Sequence, residues 1–72
     1  MEGSVAKNIR NLRNRKGITQ GTLAKATNLS RNTIVNFETK RRDPRVRDLI
    51  KIARALDVPV EQLLSDNGQE EN

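Results

Sequence analysis

A chain of 72 residues with a formal charge of +5 and 33% hydrophobic residues has room for one small domain and no second one. It contains no cysteine and no histidine, which removes disulfides, thiolate metal sites, imidazole acid–base catalysis and most hydrolytic triads. No apolar run exceeds two residues, so neither a transmembrane span nor a signal-peptide core is present, and a cysteine-free chain fits a reducing cytoplasm.

Residues 1–4 read as a loose tail, with Ser4 able to cap the first helix. Val5, Ile9 and Leu12 recur at i, i+4 and i+7, which predicts an amphipathic helix ending near Arg15 and Lys16, with Gly17 in the left-handed position beyond it. Thr19 caps a short second helix that reaches about Ala26, with Leu23, Ala24 and Thr27 inward. Gly21 costs that helix roughly 1 kcal/mol against alanine, so it needs tertiary support. Asn28 tolerates the left-handed conformation of a tight turn. Ser30 caps a third helix to about Thr39, with Leu29, Ile34 and Phe37 inward and Arg31, Asn32 and Asn36 on the opposite face. A charged loop from Lys40 to Arg45 contains Pro44, which cannot continue the helix before it. Val46, Leu49, Ile50, Ala53 and Leu56 trace a fourth helix that Asp57 ends. Pro59 opens a short fifth helix carrying Val60, Leu63 and Leu64. Residues 65–72 form an acidic tail expected to fray. The result is an all-α, compact five-helix domain spanning residues 5–64.

Charge is unevenly spread. Residues 1–56 hold all 14 basic residues against four acids, a balance of +10, whereas residues 57–72 hold five acids and no base. Such a basic body calls for a polyanionic partner, nucleic acid first and an anionic membrane surface second. The second and third helices, about 19–26 and 30–39 with a three-residue turn between them, form a helix-turn-helix pattern.

The stretch from Ile9 to Leu64 resembles the lambda-repressor-like, Cro-type (Xre) helix-turn-helix family. The resemblance rests on Ile9 to Arg13, Gly17 to Gln20, Leu23-Ala24, Leu29 to Arg31, Thr33-Ile34, Phe37-Glu38, Pro44, Leu49 and Ala55 to Val58. It covers about four-fifths of the chain and implies a major-groove reader. Arg31 and Asn32 are then the expected base contacts, with Asn36 one turn deeper, since arginine matches guanine O6 and N7 and asparagine matches adenine N6 and N7. Thr33 either offers its methyl to a thymine or completes the Ser30 cap. Val35 either touches a thymine methyl or is an incidental exposed valine. By resemblance Gln20 reaches a phosphate and braces the first residue of the recognition helix, with Thr19 beside it at the backbone. Lys40, Arg41, Arg42 and Arg45 are phosphate contacts or simply a solvated loop. Lys7 and Arg10 are weaker phosphate candidates. The resemblance also implies a structural ion pair of Arg13 with Glu38. Two departures stand out: Thr22 replaces the family's glutamate, which removes a capping box, and Asn28 replaces a turn glycine.

These residues point to a sequence-specific double-stranded DNA-binding regulator, a repressor by analogy, with no cofactor, metal, small-molecule ligand, membrane or catalytic role. Val60, Leu63 and Leu64 are candidates for the contact of a homodimer, which would select a near-palindromic operator. The rival reading is a protein-interaction module, such as an antitoxin, docking a partner through Val35 and the fifth helix.

Overall fold

Five helices follow one another in a computed structural model that describes residues 4–65: α1 (Ser4–Arg15), α2 (Gln20–Thr27), α3 (Arg31–Glu38), α4 (Val46–Leu56) and α5 (Glu61–Leu64). Ser4 is the first residue of α1 rather than its cap, a shift of the size expected at a helix end. The expected tails, residues 1–3 and 66–72, lie outside the described residues.

The local signals that start and stop the helices are short-range hydrogen bonds. Thr19 Oγ1 accepts from the Thr22 N–H at 3.0 Å, and Ser30 Oγ accepts from the Thr33 N–H at 3.0 Å. Each cap thereby satisfies a donor that the first helical turn leaves without a partner. In place of the glutamate of a full capping box, the Thr22 hydroxyl accepts from the Thr19 hydroxyl at 3.0 Å. At the other ends, α1, α2, α3 and α4 each run into a left-handed residue: Gly17 (φ 69°), Asn28 (φ 62°), Lys40 (φ 67°) and Asp57 (φ 59°). The residue after each one turns its N–H back into the helix. Ile18 reaches the Arg13 carbonyl at 2.9 Å, Leu29 the Ala24 carbonyl at 3.0 Å, Arg41 the Asn36 carbonyl at 3.0 Å and Val58 the Ala53 carbonyl at 3.0 Å. This is the Schellman closure, and its following residue is commonly apolar. Ile18, Leu29 and Val58 obey that rule and pack on the core; Arg41 does not.

Lys40 is thus the one bulky, unbranched cation among the four left-handed residues. That conformation costs an ordinary residue about 1–2 kcal/mol, part of which glycine returns through its larger unfolded-state entropy. Lys40→Gly should therefore raise unfolding free energy by about 0.5 kcal/mol, read as a higher urea midpoint with an unchanged slope.

The core joins Ile9 and Leu12 of α1, Leu23 and Ala24 of α2, Ile34 and Phe37 of α3, Ile52, Ala53 and Leu56 of α4 and Leu63 of α5. Here α4 departs from its expected register. Its buried stripe is turned toward Ile52, which is fully enclosed, while Val46 and Ile50 are 72% and 43% exposed. The apolar face of α4 spans nearly half its circumference, with Val46 and Ile50 at one edge and Ile52 at the other, so periodicity fixes the face but not its centre, and packing against α2 accompanies the rotation that buries Ile52. Asp48 Oδ2 accepts the Arg45 N–H at 3.0 Å, one half of a capping box; arginine has no acceptor to supply the other half.

A buried polar residue fastens the end of the domain. Asn8, enclosed on α1, donates from Nδ2 to the Leu63 carbonyl at 2.9 Å and to the Ser65 carbonyl at 2.8 Å. A four-residue helix has no stability of its own, so α5 is held by Leu63 in the core and by this amide. Asn8→Ala should cost about 2 kcal/mol through the carbonyl left without its donor. Hydrogen exchange should accelerate first at the amides of α5, with those of α2 and α3 retaining protection; uniform acceleration would show that Asn8 is not a local fastening.

Candidate nucleic-acid interface

Because α2 and α3 pack together through Leu23, Ala24, Ile34 and Phe37, the first turn of α3 is left facing outward beside the first turn of α2. Arg31 and Asn32 are exposed there, and Asn36, one turn along, is half-buried. The side chains of Asn32 and Asn36 make no hydrogen bond among the described residues. Thr33 is committed locally, its hydroxyl paired with Ser30 Oγ at 2.9 Å. Val35 is half-buried rather than projecting.

Behind this surface runs a continuous set of polar contacts. Arg13 Nε donates to Glu38 Oε2 at 2.7 Å and Arg13 Nη2 to Glu38 Oε1 at 3.0 Å, a two-pronged pair. Arg13 Nη1 adds the Ile18 carbonyl at 2.9 Å, so one guanidinium ties α1, the connection to α2 and α3 together. The Glu38 side chain is only 3% exposed, which makes this pairing a requirement of burial rather than an option. Gln20 then continues the chain outward. Its Nε2 donates to Glu38 Oε1 at 3.1 Å, and its Oε1 accepts from Arg31 Nη2 at 3.4 Å. An exposed arginine is thus linked by one amide to a buried ion pair.

Along the rest of the surface, the N–H groups of Gln20 and Gly21 at the start of α2 have no acceptor among the described residues, an arrangement that favours anions. A Cβ at Gly21 would meet only Thr19 Oγ1, at 3.9 Å, so protein packing does not demand glycine there. After α3, Lys40, Arg41 and Arg45 are exposed. Arg42 is exposed as well, with its guanidinium over the Phe37 ring, 5.8 Å from the centroid. Of the residues named for dimer contact, Leu63 is enclosed in its own chain's core and offers no surface to a second copy. Val60 is half-buried, and Leu64 is 51% exposed. Sequence reasoning passed over Asn8, Ile52 and the Arg42–Phe37 contact. Asn8 carried one faint signal, a polar side chain adjacent to Ile9 on the apolar side of the first helix.

A model of the helix-turn-helix family matches residues 9–63. Among solved structures, the restriction-modification controller protein C.AhdI from Aeromonas hydrophila is 32% identical, with a TM-score of 0.81 over 83% of this chain and 91% of that one. A hypothetical transcription factor from Neisseria is 35% identical, with a TM-score of 0.82 over 86% of this chain and 70% of that one. The DNA-binding domain of the P22 C2 repressor is 25% identical, with a TM-score of 0.85 over 94% of this chain and 90% of that one. Among proteins of curated function, none matches the sequence. With its family match extending from α1 to α5 around the α2–α3 pair, the chain belongs to the helix-turn-helix family of DNA-binding transcription regulators, in its lambda-repressor-like, Cro-type branch.

Proposed function

We propose that the protein binds a near-palindromic operator in double-stranded DNA as a homodimer, places α3 of each copy in the major groove, and represses transcription in the cytoplasm without catalysing a reaction. The observation that carries this reading is the link from the buried Arg13–Glu38 pair through Gln20 to Arg31. Ordering a long exposed side chain costs entropy, and this tether meets that cost before any partner arrives. Arg31 then presents the remainder of its fork to guanine, with Asn32 and Asn36 available to adenine and Thr33 limited to a methyl contact. Thr19 and Gln20 with the free amides of α2, followed by Lys40, Arg41, Arg42 and Arg45, flank the readers and suit phosphates on either side. The absence of a packing reason for glycine at position 21 favours close approach of a phosphate there. Self-association is supported by the apolar side chains of Val46, Ile50 and Leu64 that the fold leaves exposed.

Selection from random duplexes, followed by the mass of the resulting complex, tests the reading. A palindromic consensus with half-site centres roughly 34 Å apart and two chains per duplex is the expected result. A docking module for another protein would yield no consensus and little salt dependence. Lys40→Gly supplies an internal contrast: the variant expected to be more stable should bind every duplex more weakly, with a log–log salt slope shallower by about 0.9.

A further inference from the structure

We infer that Arg10 is a positioning residue for the recognition helix and not a phosphate contact, an inference that rests on the operator reading above. The last turn of α3 presents carbonyls that no helical N–H can reach. Local backbone groups serve three of them: Thr39 N–H reaches the Val35 carbonyl at 2.9 Å, Arg41 N–H the Asn36 carbonyl at 3.0 Å and Lys40 N–H the Phe37 carbonyl at 3.4 Å. The Glu38 carbonyl is the one left over, and Arg10 Nη1 donates to it at 3.3 Å. Arg10 and Arg13 stand three residues apart and so share a face of α1. Arg13 holds the Glu38 carboxylate while Arg10 holds the same residue's backbone, and a cation there also suits the negative end of the helix. One residue of α3 is therefore gripped at two points by one helix.

The grip acts at the end of α3 opposite the readers. Gln20 steadies Arg31 at the first turn, and Arg10 fixes the last turn, so the two contacts together set the angle at which α3 leaves the domain. Without Arg10 the helix keeps its buried side chains Ile34 and Phe37 and the Arg13–Glu38 pair, but its terminal carbonyl loses its donor and the backbone of the last turn gains freedom to shift about them. Base contacts demand near-fixed geometry and suffer from such a shift; phosphate contacts on flexible lysine and arginine side chains adapt to it.

The test uses the 72-residue chain with Arg10→Met and Arg10→Lys, titrated at several salt concentrations against the selected duplex and a scrambled duplex of equal length, with urea unfolding in parallel. Arg10→Met is expected to lose about tenfold on the selected duplex, the scale of one base contact. On the scrambled duplex it should lose less than about twofold, with the same salt slope. Arg10→Lys, which keeps a donor and the charge, is expected to recover most of the loss. Parallel losses on both duplexes with a slope shallower by about 0.9 would overturn the inference in favour of a phosphate contact. Unchanged affinity with only a lower urea midpoint would overturn it in favour of a role in stability alone. Failure of the wild-type protein to distinguish the two duplexes would remove the operator reading and this inference with it; the other outcomes concern Arg10 alone.

Discussion

Arg13→Ala should lower the unfolding free energy by about 3 kcal/mol, because removing one partner of a buried pair strands the other. In a domain of this size each kcal/mol moves the melting temperature by about 4–8 °C, so a fall of roughly 12–24 °C is expected by calorimetry. The loss exceeds that of an ordinary surface ion pair because Glu38 cannot regain water: its side chain is 3% exposed, and Gln20 alone remains to bond it. An unchanged melting temperature would sink the structural assignment of the pair. A double variant, Arg13→Met with Glu38→Leu, separates stability from recognition. Well-packed apolar substitutes often recover the stability of a buried pair, yet they leave Gln20 with nothing to hold at its inner end. The double variant should therefore melt close to the wild-type temperature and still bind the selected duplex less tightly.

Arg31→Ala should cost about 1–3 kcal/mol of discrimination at one base pair of each half-site. That corresponds to roughly 5–150-fold weaker binding to the preferred sequence, with the preference at that one position relaxed and those at the other positions kept. Repeating the duplex selection with the variant measures both effects. Equal loss on every sequence would demote Arg31 to a phosphate contact. Gln20→Ala belongs beside it as a comparison: with the base-reading group intact but its 3.4 Å support gone, the consensus should persist with a smaller penalty for mismatch.

The sequence reading and the structure agree most closely where the causes are local. Thr19 and Ser30 announce their helices because a hydroxyl at that position satisfies a donor three residues on, and Gly17 and Asn28 end theirs because few residues accept a left-handed backbone. The family resemblance adds the pairing of Arg13 with Glu38, which spacing alone cannot reveal, since the two lie 25 residues apart. Disagreement begins with α4. Val46, Leu49, Ile50, Ile52, Ala53 and Leu56 crowd so much of the helix that a periodic trace can follow Ile50, whereas the folded chain buries Ile52. The same holds for Leu63 and Leu64: adjacent leucines in a short helix look equivalent, and only the space beneath α1 decides that Leu63 fills the core.

The net charge of +5 hides how differently the basic residues are used. The Arg13 side chain is largely buried against Glu38, Arg10 bonds a helix-end carbonyl, Arg42 lies over the Phe37 ring, and Arg31 is tethered through Gln20. The side chains of Lys40, Arg41 and Arg45 have no partner among the described residues. Nothing in the chain order distinguishes Arg41 from Arg42, because an arginine's partner depends on which group the fold brings within reach. By itself the sequence determined the five helices, the caps at Thr19 and Ser30, the turns at Gly17 and Asn28, the helix-turn-helix pair and the residue types offered to a polyanion, all of which arise from short-range backbone chemistry and apolar periodicity. Only the tertiary structure decided which stripe of α4 is buried, that Asn8 secures α5, and which arginines reach Glu38 of α3, because each depends on contacts between residues distant in the chain.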